Sequence, residues 1–229
     1  MPTLYHSTLH AGSRAIRLMM AEYDLEINLH EERVWERREE FLEMNPAATL
    51  PVMVDERTQV IGAQPVGEYL DETHGALKRD RRIFPEDAAG RAEMRRLIDW
   101  SLIKLEMEVT RYAVNELVTK RLMPTNLGGG APDSQALRAA RTNIKYHLNY
   151  LGWLSSQRNW LAGERLTHAD LAAAAALSVL DYLGEIKWHE AETLKDWYVR
   201  VKSRPSFRPL LTDRVRGIPP VSHYVDLDF

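Results

Sequence analysis

Along the first eighty residues the apolar positions switch repeatedly between two periods. Thr3-Leu4-Tyr5-His6 reads as a short strand. From Ser13 to Tyr23, Ile16, Leu18, Met19 and Met20 are apolar, whereas Arg14, Arg17 and Glu22 are polar, which predicts a helix. Glu26 to His30 alternates with period two and predicts a second strand, and the densely charged WERREEFLEM, Trp35 to Met44, predicts a second helix. Leu50-Pro51-Val52-Met53-Val54 is a strand entered through an X-Pro bond, and Val60-Ile61 is another. A short turn around Asp55 to Thr58 separates them, so a hairpin is expected. Pro51 has no N–H for a sheet ladder and belongs at a strand start or edge, with either a trans or a cis bond. Gly67-Glu68-Tyr69-Leu70 then lies inside a short amphipathic helix.

The strand signals fade after the charged run Lys78-Arg79-Asp80-Arg81-Arg82 and Phe84-Pro85. Arg91 to Met123 keeps near-helical apolar spacing from Met94 to Leu122. LGGGAPD, Leu127 to Asp133, breaks it, and Ser134 to Ser155 predicts a second long helix. Thr167-His168-Ala169-Asp170 has the spacing of a capping box, in which hydroxyl and carboxylate each satisfy a backbone N–H. The helix it opens, Ala169 to Leu183, is almost wholly apolar and is expected at the centre of a bundle. A last helix runs from about Ala191 to Lys202. The expected organisation is an α/β unit over 1–77, a linker over 78–86, an all-helical unit over 87–211 and a tail over 212–229. The order β-α-β-α-β-β-α of the first unit is a thioredoxin-like plan.

Composition narrows the function. The 229 residues carry a net charge of −3, 45% apolar and 28% charged residues, ordinary values for a globular protein. Nothing there draws the chain to nucleic acid or an anionic membrane. The absence of cysteine removes disulfides, thiolate metal sites and a cysteine nucleophile, and fits a reducing cytoplasm. The opening MPTLYHSTLH lacks the basic-then-apolar pattern of a signal peptide, and the Ala-rich run Leu171 to Leu180 is too short to span a bilayer. No metal site and no cofactor are expected.

Several stretches together resemble the glutathione S-transferase superfamily: LYHSTLHAGSRAIRLMMAE, NPAATLPVMVD, the helix ending EYL, GERLTHADLAAAA and RVKSRPSFRPLL. The resemblance covers nearly the whole chain. It implies that Pro51 is cis, that Leu50 offers its backbone to the cysteinyl part of glutathione, and that Thr167 and Asp170 form a structural cap.

The same resemblance argues against catalysis. Relatives commonly place a Glu-Ser pair after the hairpin to hold the γ-glutamyl end. Here Gly62 and Ala63 stand there, and each lost charged hydrogen bond costs about 1.5–3 kcal/mol. The thiol-activating Ser or Cys position falls on His10. Ser7, Ser13 and Tyr5 are nearby hydroxyls that could substitute, because a helix N-terminus stabilises a thiolate. Ser13 reads better as a helix cap. The degenerate site is therefore His10, Ser13, Leu50, Pro51, Gly62 and Ala63, and a glutathione-dependent transferase with a non-standard site is the alternative function.

The missing pair, the WERREEFLEMNPA segment and the tail ending in Tyr224, Leu227 and Phe229 resemble more closely a non-catalytic bacterial branch of the superfamily. That likeness implies a homodimer acting in the cytoplasm at the division site, binding polymers of FtsZ, the tubulin homologue, and promoting curved or bundled filaments. Expected exposure and residue type suggest Trp35, Arg38, Arg111, Glu116, Leu122, Asp226 and Asp228 as its contacts, since Trp and Arg dominate binding hot spots. A Trp set among charges in EERVWERREE can equally pack on its own helix. Pro219-Pro220 favours an extended tail, which either folds back or is offered to a partner.

Overall fold

The computed structural model describes residues 1–227 apart from Arg57; the contact expected at Asp228 lies outside the described residues. The chain begins β1 (Thr3–His6), α1 (Ala11–Glu22), β2 (Asn28–Glu31), α2 (Glu39–Met44), β3 (Val52–Val54), β4 (Gln59–Ile61) and α3 (Ala63–Thr73). The four strands form one sheet in the order β2-β1-β3-β4. β1 runs parallel to β2, with Leu4 opposite Leu29, and antiparallel to β3, with Leu4 opposite Met53. The β3–β4 hairpin pairs Val52 with Ile61. The predicted order of elements is therefore present.

The helical part consists of α4 (88–122), α5 (Ser134–Gln157), α6 (His168–Tyr182), α7 (Glu192–Lys202) and the short α8 (Arg208–Leu211). α4 is continuous but widened by π-turns over Trp100–Lys104, Glu106–Thr110 and Asn115–Thr119. Each long helix starts on a side-chain cap. The Asp87 carboxylate accepts from Gly90 N–H at 2.7 Å and that of Asp133 from Gln135 N–H at 2.7 Å. α6 is buried from His168 to Tyr182, as its apolar sequence requires. Small alanines along α6 let α1 and α4 approach it closely, so the sheet unit docks on the bundle through α1.

The box that starts α6 is complete. Asp170 accepts from Thr167 N–H at 2.9 Å, and Thr167 Oγ1 from Ala169 N–H at 3.3 Å. Asp170 also accepts from Leu161 N–H at 2.8 Å and Trp197 Nε1–H at 3.1 Å. A carboxylate with no solvent exposure thus ties the preceding loop and α7 to the start of α6. Burial pushes its pKa up, and the four donors around it oppose that shift.

Two helix expectations need correction. The stretch Trp35 to Met44 is not one helix: Val34–Glu36 forms a 3-10 turn, Arg37 is left-handed at φ 48°, and α2 begins only at Glu39. The cause is Glu32, a carboxylate only 2% exposed, which draws Arg38 to it at 2.7 Å and holds the chain extended there. Ser13 does not cap α1. His10 does, its Nδ1 accepting from Ser13 N–H at 3.1 Å, so the helix starts two residues earlier than the polar pattern suggests.

Candidate functional site

The site expected from the sequence gathers where α1, the β3 entry and α3 begin. Asn45 prepares the loop: it is 2% exposed, its Nδ2 donates to Thr49 O at 2.8 Å, and its Oδ1 accepts from Ala47 N–H at 3.2 Å. The Leu50–Pro51 bond is cis, as the resemblance implied. Pro51 O accepts from Gly62 N–H at 2.9 Å, which brings the hairpin exit back over the proline. Gly62 caps α3 with its backbone alone, at φ 94°, a conformation that costs a side-chain-bearing residue strain. Ala63 follows, and a Cβ placed on Gly12 would lie 3.1 Å from the Ala63 Cβ. His10, Gly12, Ala63 and Gly62 therefore adjoin one another, with Pro51 bonded to Gly62.

The chemistry of this cleft follows from His10. Its Nδ1 accepts a backbone N–H and also lies 2.9 Å from Ser13 Oγ. Desolvation lowers the pKa of the half-buried imidazole to about 4, so at neutral pH the ring is uncharged. With Nδ1 accepting, the proton sits on Nε2. Ser13 is fully buried and its hydroxyl is engaged within the cap. The start of α1 thus carries a neutral His10 with its N–H on Nε2, and the cleft has no carboxylate or hydroxyl at Gly62 or Ala63. Tyr5 lies against His30 and Phe41, with ring centroids 4.7 and 5.9 Å away.

The partner-contact candidates are scattered. Trp35 is half-buried on its 3-10 turn, and Arg38 is committed to Glu32, with a looser approach to Glu40 at 3.6 Å. Arg111 is exposed and lies over the Tyr112 ring at 5.0 Å. Glu116 does not lie on an open face: it is 4% exposed and accepts from Lys120 Nζ, Asn115 Nδ2 and Asp133 N–H, at 2.5, 2.9 and 2.7 Å. Its carboxylate closes the LGGGAPD loop against α4 and is spent there. Leu122 is partly buried against the core. The Asp226 side chain is exposed, while its carbonyl accepts from Lys202 Nζ at 2.8 Å. Among the described residues no hydrogen bond, ion pair or ring contact joins one of these candidates to another.

One constellation escaped the sequence reading. Arg14, read there only as a polar position, is fully buried. Its Nε donates to Thr8 O at 2.7 Å, and Nη1 to Ser178 Oγ at 2.8 Å and Tyr224 OH at 2.9 Å. Asp213 takes Arg14 at 3.3 Å and Arg17 at 2.8 Å. The tail therefore folds back. Tyr224 is fully buried, Tyr182 OH donates to Ile218 O at 2.7 Å, and His223 Nε2 lies 3.1 Å from the buried Asp181. The available signal was two arginines three apart on an otherwise apolar helix face.

The chain matches two family models, "Glutathione S-transferase, N-terminal domain" over residues 4–78 and "Glutathione S-transferase, C-terminal domain" over residues 115–205. It is 40% identical over 231 residues to FtsZ-localized protein A of Caulobacter vibrioides, covering 99% of this chain and 98% of that protein. A crystal structure of a glutathione S-transferase from Sinorhizobium meliloti superposes with a TM-score of 0.98 at 57% identity, covering both chains completely. FzlA from C. crescentus superposes with a TM-score of 0.92 at 39% identity, over 100% of this chain and 99% of that one. With the cis-proline cleft, the α/β sheet unit and the capped central helix all in place, the chain belongs to the glutathione S-transferase family.

Proposed function

We propose that this protein binds FtsZ polymers as a homodimer at the division site, bridging neighbouring filaments and promoting their curvature or bundling without catalysing a reaction. The observation that carries the reading is the full-length likeness to FtsZ-localized protein A, in a chain whose cleft has lost side-chain hydrogen bonding at Gly62 and Ala63. A two-fold assembly presents each contact surface twice, so modest single-site affinity becomes avidity. The dimer is supported by an apolar face on α4 and α5. There Ile103, Met107, Tyr146 and Trp153 are 50, 55, 58 and 57% exposed around Trp100 and Tyr150, whose tilted rings have centroids 4.2 Å apart. Arg111 and Asp226 are the exposed contact candidates, and Trp35, Arg38 and Leu122 are half-buried ones.

The test is co-sedimentation with polymerised FtsZ. Wild-type protein should pellet with polymer, and Arg111→Glu or Asp226→Lys should weaken pelleting at least tenfold without changing the melting temperature. Arg38→Glu is the poorer probe, because it strands the buried Glu32. Undiminished pelleting of both surface variants would remove this contact assignment, and no pelleting of the wild type would remove the function.

A glutathione-dependent transferase remains the second reading, favoured by the cis Leu50–Pro51 bond and the His10 donor at the start of α1. It requires heat on titration with glutathione and turnover of a chloro-aromatic acceptor; silence in both excludes it.

A further inference from the structure

We propose that His168 is an acid-sensitive latch between the sheet unit and the bundle: a proton taken up by its ring parts α3 from the start of α6 while the bundle stays folded. The geometry of this seam carries the proposal. His168 is the first residue of α6 and is 1% exposed. Its backbone N–H donates to Ile83 O at 3.0 Å, which fixes the linker beside it. α3 crosses the ring through Gly67, where a Cβ would lie 3.1 Å from Nε2 and 3.4 Å from Cδ2. Phe84 of the linker, itself buried, stacks on the ring with centroids 5.6 Å apart and planes 19° off parallel. The imidazole is thus enclosed by α3, the linker and its own helix. Neither ring nitrogen has a hydrogen-bond partner among the described residues.

A neutral ring can be held this way, but an imidazolium brings two N–H donors and a charge, and needs acceptors or water for both. The closed seam supplies neither. The carboxylates that face the ring are Glu68 and Asp71 on α3, and each is already matched. Arg95 on α4 lies 2.7 Å from Glu68, and Arg82 of the linker lies 2.6 Å from Asp71. Asp71 also accepts from the Tyr23 hydroxyl of α1 at 3.0 Å. On its own helix, Asp170 is taken by its four donors. Burial accordingly lowers the His168 pKa to about 4, against the pull of the two α3 carboxylates. Water reaches the ring only if a wall moves, and α3 is the wall least held. It buries only Val66, Gly67, Leu70 and Asp71, and the 3-10 turn after it, Gly75–Arg81, buries only Gly75. Its polar ties to α4, Gln64 to Asp99 and Glu68 to Arg95, lie at the surface. In the opened form the ring titrates near its ordinary value of about 6.5, so the opening constant rises about 25-fold between pH 7.5 and pH 5. Opening also carries Gly62 and Ala63, at the start of α3, away from the cleft beside His10.

Amide hydrogen exchange on the full-length ¹⁵N-labelled protein at pH 7.5 and 5.0, corrected for intrinsic rates, tests the latch. Amides of α3 should open more readily than those of α6 at both pH values. Between the two pH values their protection should fall about 25-fold more in the wild type than in His168→Leu. A second measurement needs only the wild type: at pH 5.0, α3 exchange should be nearly insensitive to urea below the unfolding transition, as a local opening is, whereas α6 exchange accelerates with urea. Exchange of α3 in step with α6, the same urea dependence in both helices, or an equal fall in protection in the wild type and His168→Leu would each overturn the proposal.

Discussion

Arg14 and Tyr224 stand 210 residues apart in the chain and meet at 2.9 Å, guanidinium to phenol, where neither has any solvent exposure. A buried guanidinium is tolerable only while its acceptors surround it. Arg14→Ala is expected to cost about 3–5 kcal/mol, through the lost packing and the buried acceptors at Thr8, Ser178 and Tyr224 left without their donor, while Asp213 keeps Arg17. Tyr224→Phe removes a single hydroxyl and should cost about 1 kcal/mol. Urea midpoints at constant m-value test both, and equal losses would show that the tail is not held through this bond.

Asp170 serves four donors from three parts of the chain. Asp170→Ala is expected to destabilise by at least about 3 kcal/mol, because Trp197 Nε1–H and two backbone N–H groups would be left buried and unsatisfied. Thr167→Ala removes only the hydroxyl and should cost about 1 kcal/mol. Chemical denaturation of the two variants gives the ratio directly.

Protons should unfold the protein through its histidines. Desolvation lowers His6, His10 and His168 to about 4. Between pH 4 and about 6.5 the unfolded chain binds a proton at each that the native state does not, so stability falls as pH drops through this window. Each such residue adds a slope of up to about 1.4 kcal/mol per pH unit. His168 is 1% exposed, and His168→Leu should flatten the slope by that amount whatever it does to the midpoint at pH 8. An unchanged slope would mean that His168 is protonated in the fold.

For His10 the expectation is spectroscopic. Long-range ¹H–¹⁵N correlation should find a neutral ring at pH 6 with its proton on Nε2, because Nδ1 is occupied by Ser13 N–H at 3.1 Å. A ring protonated on Nδ1 would contradict the cap.

Rebuilding the lost ligand grip should be costly. Gly62 sits at φ 94°, so Gly62→Glu carries backbone strain of about 1–2 kcal/mol, and Gly62→Ala the same strain without a new carboxylate. Calorimetry with glutathione on Gly62→Glu/Ala63→Ser measures whether the restored side chains outweigh it. Tight binding in the unmodified protein would show instead that the pair is dispensable.

Much of the fold could be read from the residues because it rests on local patterns. Period-two strands, the apolar seam of α4 and the Thr167–Asp170 spacing each report on neighbours within a turn or two. The cleft was readable for the same reason: Gly62 and Ala63 lack polar side chains wherever they sit. What stayed hidden was decided by distant partners. Glu116 looks like any solvated helix charge until Asp133 N–H reaches it across a loop. Arg38 breaks a charged run that has helical propensity because Glu32 is buried beneath it. Ser13 has a typical capping side chain, yet His10 takes the role because the cap lies three residues earlier.

The buried guanidinium also bears on synthesis. Arg14 is made 164 residues before Ser178 and 210 before Tyr224, so while the chain between them is synthesised two of its acceptors do not yet exist. The sheet unit can collapse early, but its seat against α6 is completed only once Asp213 and Tyr224 are in place. A truncated nascent chain therefore carries an unmatched cation at the place where its two halves should join, and it is marked for quality control by its own first helix.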